Sequence, residues 1–237
     1  SYRRYEFSTR QAFNNILAQL RPVRQNEFPS IEYAASPELS FSLEFITPRT
    51  FRIRANTGSQ SAPGRKSLML ARGKVTRHTR WEYSPVPGGH KYASSHGAVV
   101  VNERPWRIEI YNAQGELITR TMHKVDDDST YTPILPFSFV RRASDYSRSV
   151  SAAFSLGPDE KIYGCGESFT GLNKRGQKVV LFADDANGVE NESMYKPIPF
   201  FISSHGYGMF MHTSTPITCD FGKYYSGMSS LMIGEDK

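Results

Sequence analysis

From Leu39 onward the apolar residues of this chain recur at every second position, with Leu39, Phe41, Leu43 and Phe45 on one side and Ser40, Ser42 and Glu44 on the other. That period belongs to an extended strand with one face toward a core, and it argues against a helix over the same residues. Pro48 interrupts the run and Phe51-Arg52-Ile53-Arg54 resumes it, which predicts two successive strands around a tight turn. The pattern returns in Ala98-Val99-Val100-Val101 and in Arg107-Ile108-Glu109-Ile110-Tyr111. Asn112-Ala113-Gln114-Gly115 then supplies turn residues ahead of Leu117-Ile118, which makes this stretch a hairpin. Ser149 to Leu156 reads as a further strand and Gly157-Pro158-Asp159-Glu160 as a turn. The 15 Phe, 13 Tyr and 2 Trp are spread through such short runs, as strand-rich proteins distribute them. Thr57 to Ser67 and Ser84 to Gly97, with their Ser, Gly and Pro, read as loops. The expectation is an all-β chain.

One segment has helical spacing. Phe13, Ile16, Leu17 and Leu20 fall on one face behind Ser8 or Thr9 as N-cap, and the run stops before Pro22. This predicts one short amphipathic helix in an N-terminal extension, residues 1–30, ahead of a β domain over 31–237. At 237 residues a single β-sandwich suffices, and 38% hydrophobic with 22% charged residues is the balance of a folded protein.

The formal charge of +6 raises nucleic acid as a partner. Arg3, Arg4, Arg10, Arg21 and Arg24 gather near the start while the other basic residues scatter, with no basic helix face and no ladder of interleaved aromatics. A solvated surface and no nucleic-acid partner are expected. No apolar run is long enough for a signal peptide or a spanning helix, so no membrane partner is expected either, although a leader removed upstream would leave no trace. Cys165 and Cys219 are too few for a disulfide framework or a four-cysteine zinc site and are expected as buried thiols. The six His lack ligand spacing, and Asp126-Asp127-Asp128 on an extended chain would point to alternating sides, so neither metal nor cofactor is expected.

The informative stretch is Lys161-Ile162-Tyr163-Gly164-Cys165-Gly166-Glu167-Ser168-Phe169, followed by Gly176-Gln177-Lys178-Val179-Val180-Leu181-Phe182-Ala183-Asp184-Asp185-Ala186-Asn187-Gly188. Gly164 and Gly166 look like part of a dinucleotide fingerprint, but the third Gly is missing and no βαβ pattern surrounds them. Asp184 and Asp185 look like a catalytic pair, but neighbours on an extended chain point to opposite sides and do not flank one bond.

The arrangement resembles the junction in glycoside hydrolase family 31, the α-glucosidases, α-xylosidases and relatives. There a turn ending in Asp-Glu leads into Tyr-Gly-Leu-Gly-Glu and an aromatic; Cys165 here replaces the Leu. The family's later pieces are matched by Phe182-Ala183-Asp184-Asp185, Tyr195-Lys196-Pro197-Ile198-Pro199-Phe200-Phe201, Gly206-Tyr207-Gly208-Met209-Phe210 and Asp220-Phe221-Gly222, and its early strands by Phe51 to Arg54 and Trp106 to Leu117. The resemblance covers roughly Leu39 to Gly222.

It implies a galactose-mutarotase-like β-sandwich, or supersandwich, ahead of a (β/α)8 barrel that carries two catalytic aspartates. Retaining glycoside hydrolysis needs two carboxyl groups about 5 Å apart, one nucleophile and one acid/base. No alternating βα pattern follows Gly222, so these residues are expected to hold no catalytic group, and an oligosaccharide or glycoside would be met through the barrel. By the resemblance, the Asp matching Asp185 sits on a loop over the barrel pocket and accepts hydrogen bonds from sugar hydroxyls, a task that suits a carboxylate. Asp184 and Asn187 are weaker substrate-binding candidates, and Ala183 stands where the family has Asn. The plainer reading of Asp185 is a turn carboxylate bonding nearby backbone N–H groups. Tyr195, Pro199 and Phe200 are expected in the core. A second reading of the chain is a stand-alone carbohydrate-binding module using exposed Trp81 or Tyr83.

Overall fold

The computed structural model of the chain describes residues 5–12, 15–22, 40–56, 68–71, 80–122, 136–142, 148–184 and 194–233. Among the described residues there are strands and no helix. In chain order these are β1 (Tyr5–Ala12), β2 (Asn15–Pro22), β3 (Ser40–Thr47), β4 (Thr50–Asn56), β5 (Glu82–Val86), β6 (Gly89–Ser94), β7 (Gly97–Glu103), β8 (Trp106–Asn112) and β9 (Leu117–Arg120). They continue as β10 (Phe137–Arg142), β11 (Arg148–Ser155), β12 (Ile162–Glu167), β13 (Lys178–Leu181), β14 (Lys196–Ser203), β15 (Gly208–Phe210), β16 (Ile217–Phe221) and β17 (Met228–Ile233).

These strands form a seven-stranded sheet in the order β13-β16-β17-β11-β10-β1-β2, a three-stranded sheet β12-β14-β15, a five-stranded sheet β5-β6-β7-β8-β9 and the hairpin β3-β4. The core lies where the first two sheets face each other. Phe154, Val179, Leu181, Ile217, Cys219, Phe221 and Leu231 from the large sheet pack with Ile162, Cys165 and Phe201 from the small one, all buried. Phe201 and Phe221 meet edge to face at 5.0 Å between ring centroids, the geometry that aromatic pairs favour. Burying a Phe side chain such as Phe201 contributes about 2–3 kcal/mol, so this pair is a main fastener between the layers.

The five-stranded sheet is stitched to the same core through β11. Thr121 forms an antiparallel bridge with Phe154, and the Thr119 hydroxyl, 1% exposed with its residue, donates to the Ser155 carbonyl at 3.1 Å. The hairpin β3-β4, expected from the alternation around Pro48, stacks Phe45 on Trp81 at 4.6 Å and sets Phe41 edge-on to Trp106 at 5.3 Å. The β8-β9 hairpin also forms where its turn residues predicted it, with Asn112 Oδ1 accepting from the Gln114 and Glu116 N–H groups.

Two expectations are corrected. The N-terminal helix is instead the hairpin β1-β2, which pairs through β10 into the large sheet. Ile16, Ala18 and Leu20 satisfy a period of two as well as Phe13, Ile16, Leu17 and Leu20 satisfy a helical one. The two strands pair with each other over eight registered positions and β1 pairs with β10, and weak helix propensity yields to such pairing. The stretch 84–97, read as a loop, instead holds the end of β5, all of β6 and the first residue of β7. Pro85 hid the first because Pro is poor in strands, but β5 is an edge strand, where a missing N–H is tolerated.

Candidate functional site

The Gly-Cys-Gly run owes its sequence to close backbone approach. β12 pairs with β14 by placing Gly164 opposite Phe201 and Gly166 opposite Pro197, so the register slips and residues 198–200 stand against Cys165 alone. Gly164, Cys165 and Gly166 have φ of 120°, 70° and 100°. A Cβ on Gly164 would lie 2.6 Å from the Phe200 carbonyl oxygen, and one on Gly166 would lie 2.1 Å from that of Lys196. Only glycine fits both places. Cys165 bears the left-handed conformation at a cost of roughly 1–2 kcal/mol, and its side chain is fully buried in the core. No phosphate-binding loop is present here; the two glycines let a distorted strand pass against its partner.

Two buried charges brace this junction. Glu160, fully buried, accepts from the Gly157 N–H at 2.7 Å, from the Tyr207 hydroxyl at 2.7 Å and from the Ser203 hydroxyl, and His205 Nδ1 lies 3.6 Å from Oε2. Burial first, and then the Glu160 carboxylate, push the Tyr207 hydroxyl well above the usual phenol range, so it remains a donor. Lys174 is 4% exposed and gives Nζ hydrogen bonds to Thr170 Oγ1 at 2.8 Å and Ser168 Oγ at 3.2 Å. Burial lowers its pKa, opposed by the Cys165 sulfur. The Glu160 contacts pin the 157–160 turn to Ser203 of β14 and to Tyr207, and the Lys174 N–H, donating to the Ile162 carbonyl at 2.7 Å, holds the 168–177 segment to β12.

The segment carrying the candidate sugar contacts leaves the sheet through a closed neck. Ala183 and Met194 form a parallel bridge, and the Asp184 N–H donates to the Met194 carbonyl at 2.9 Å. Met194, 2% exposed, anchors that neck in the core. Asp184 is exposed at the neck. Asp185 and Asn187 lie outside the described residues, as do Asp126, Asp127 and Asp128. Among the described residues no group of three His, Cys, Asp or Glu could hold a metal ion.

Beside the neck, β14 turns two apolar faces to its surroundings. Phe201 and Ser203 point inward, while Ile198, Phe200 and Ile202 are 52%, 41% and 48% exposed. Phe210 of β15, paired opposite Phe200, adds a further exposed ring at 44%, and His212 stacks on it at 5.6 Å. Phe182, 56% exposed, and Tyr195, 50% exposed, flank the neck itself. The expectation that Tyr195 and Phe200 are core residues is therefore corrected, and Pro199 is half-buried. The signal that identifies this face is the alternation Ile198, Phe200, Ile202, masked by Pro197 and Pro199 within the same strand. Trp81 is also not a free platform: its ring stacks on Phe45 and its Nε1–H donates to the Thr47 carbonyl at 2.8 Å. Tyr83 is 56% exposed.

The family described as the glycosyl hydrolase 31 N-terminal galactose mutarotase-like domain matches residues 40–220. The α-xylosidase XylQ of Lactiplantibacillus pentosus is 48% identical over 68 residues, which is 29% of this chain and 9% of that protein. A family 31 dextranase of Flavobacterium johnsoniae superposes with a TM-score of 0.66 at 20% identity, over 83% of this chain and 23% of the other. The cycloalternan-forming enzyme of Listeria monocytogenes gives a TM-score of 0.68 at 16% identity, over 99% of this chain and 20% of the other. At these identities the two structures bear on the fold alone, and the chain spans less than a quarter of each of these three proteins.

Proposed function

This chain belongs to the family of glycosyl hydrolase 31 N-terminal galactose mutarotase-like domains, and on that premise we propose that it is the non-catalytic domain of a retaining α-glycosidase acting on terminal α-linked xylosyl or glucosyl residues. The xylosyl side draws support from the α-xylosidase similarity. In this reading the domain packs on a (β/α)8 barrel and lends that barrel one substrate-binding loop.

The observation that carries the reading is the outward face of Ile198, Phe200, Ile202 and Phe210 beside the Ala183–Met194 neck. A contiguous apolar face of this kind marks a surface that another protein layer covers. Covering it with a barrel brings residues 185–193 to the edge of the barrel's pocket. There Asp185, with Asp184 and Asn187 as further contacts, accepts hydroxyl protons of the sugar in charge-assisted hydrogen bonds, while the barrel supplies the two carboxyl groups that break the bond.

The test uses the chain alone and joined to its barrel. Alone it turns over no aryl α-xyloside or α-glucoside; measurable turnover by the chain alone would overturn the proposal. In the joined enzyme, Asp185→Ala raises KM by about tenfold or more with a smaller change in kcat, the size expected for one lost charge-assisted hydrogen bond. Unchanged KM removes the loop from the substrate site.

A further inference from the structure

We propose that Ser168, Thr170 and Lys174 form a binding site for a small tetrahedral oxyanion, either inorganic phosphate or the phosphoryl group of a phosphate ester. The three residues lie on the 168–177 segment that joins β12 to β13. Lys174 Nζ donates to Thr170 Oγ1 at 2.8 Å and to Ser168 Oγ at 3.2 Å, and the two hydroxyl oxygens are 2.9 Å apart. An ammonium carries three N–H donors and each hydroxyl one O–H. Two N–H groups and one O–H are used inside this triangle, so one N–H and one O–H remain without an acceptor in it. The cluster has donors to spare and no negative charge. Among the described residues no carboxylate pairs with Lys174, and Glu167, next to Ser168, pairs with Lys196 at 3.6 Å instead.

That arrangement is costly unless a counter-charge joins it. Lys174 is 4% exposed, and a buried ammonium held only by neutral oxygens loses hydration that two hydroxyls do not replace. Burial holds its pKa below the ordinary lysine value despite the nearby Cys165 sulfur, which agrees with an uncompensated ammonium. An anion on the triangle would restore the balance through charge-assisted hydrogen bonds.

The segment is built to hold the triangle still and to leave it reachable. The Lys174 main-chain N–H donates to the Ile162 carbonyl at 2.7 Å and its carbonyl accepts from the Gln177 N–H at 3.0 Å. Gln177 Nε2 ties back to the Gly171 and Asn173 carbonyls at 3.1 and 2.7 Å. The lysine stem is covered, but Ser168 and Thr170 are half-buried and Phe169, Gly171 and Leu172 around them are exposed, so a ligand meets the hydroxyls from solvent without opening the core. The main-chain N–H groups of residues 169–172 have no acceptor among the described residues and can add to the donor set. A lysine point charge with hydroxyls and main-chain N–H groups suits a tetrahedral oxyanion, whereas a planar carboxylate is better matched by an arginine fork. The neighbouring Arg175 is turned elsewhere, donating to the Gly157, Glu160 and Ser226 carbonyls. The Gly164 and Gly166 bulge takes no part.

The experiment titrates the full chain with sodium phosphate and, at matched ionic strength, with sodium chloride, following Tm and the backbone amide resonances. Phosphate at about ten times its Kd is expected to raise Tm by roughly 3 °C or more, and chloride to leave it unchanged. The amide shifts should concentrate in residues 168–174. Lys174→Met keeps the apolar stem, removes the charge and should weaken phosphate binding about tenfold or more, while Ser168→Ala and Thr170→Val should each weaken it about threefold. Glucose 6-phosphate separates the two sources: binding tighter than inorganic phosphate assigns the site to an ester, and equal or weaker binding assigns it to the free anion. The proposal is overturned if phosphate moves no amide in 168–174, if chloride or unphosphorylated glucose produces the same shifts, or if folded Lys174→Met binds as the wild type does. Should Lys174→Met fail to fold, the wild-type amide map and the two hydroxyl variants decide, and wild-type affinity in both of those would equally sink the site. None of these measurements involves the barrel or residues 185–193, so the result is independent of the glycosidase reading.

Discussion

The five-stranded and three-stranded sheets treat their outer faces in opposite ways. On the first, buried Val99 and Ile108 back a surface of Glu82, Ser84 and Arg120. That is an antiparallel sheet with water on one side. On the second, Phe201 backs Ile198, Phe200, Ile202 and Phe210. A strand apolar on both faces is the pattern of a layer covered from both sides. The contrast separates residues that hold the domain together from residues that hold it against something else, even when they are adjacent in sequence, as Phe200 and Phe201 are.

The largest expected effect tests that separation directly. Phe201→Ala should cost about 3–5 kcal/mol of stability through lost burial and the cavity left behind. Phe200→Ser, one residue away, should change the stability of the isolated chain by under about 1 kcal/mol while weakening association with the proposed barrel. Urea denaturation of both variants reads this, and equal losses would merge the two faces into one core. Next in size is Glu160→Ala, which strands the buried donors of Gly157, Ser203 and Tyr207 and should cost about 3 kcal/mol by the same measurement. Wild-type stability in that variant would make the Glu160 network incidental to the join between the turn and the small sheet.

The smallest effect is a pH dependence from the apolar face. Burial first, and then the positive charges of Arg52 and Arg54, hold His212 below its ordinary pKa of 6.5. The folded state therefore binds this proton less readily than the unfolded chain does. The contribution is fully present above about pH 6.5 and is lost as pH falls through the depressed folded value. Tm should decline over that window, and His212→Gln should flatten the decline. A decline that persists unchanged in the variant assigns it to other groups.

Much of the β architecture was legible because its determinants are local. Alternation in 39–45 and 107–111, with turn residues between the runs, specified β3-β4 and β8-β9 directly. The N-terminal hairpin was not legible, because the same apolar residues fit two periods and the deciding partner, β10, lies over a hundred residues away. Glu160 and Lys174 escaped notice for a related reason. Glu160 reads as a turn carboxylate until Ser203 and Tyr207 reach it from β14 and from the turn after it. Lys174 reads as a surface lysine until its segment folds against β12. For the site, motif order marked the strands on either side of the 185–193 segment, whereas the Ala183–Met194 neck depends on a bridge between distant residues and the outer face of β14 was hidden by two prolines that an irregular partner strand accommodates.

The Ala183–Met194 neck has an evolutionary consequence. Because entry and exit are joined by their own bridge and Met194 is rooted in the core, residues 185–193 can be lengthened, shortened or rewritten at little thermodynamic penalty to the sandwich. The neck acts as a fixed socket for an exchangeable cassette. On the function proposed above, a lineage could retune sugar selection by editing those nine positions alone, and an engineer could graft a relative's segment between Asp184 and Met194 with the scaffold left untouched.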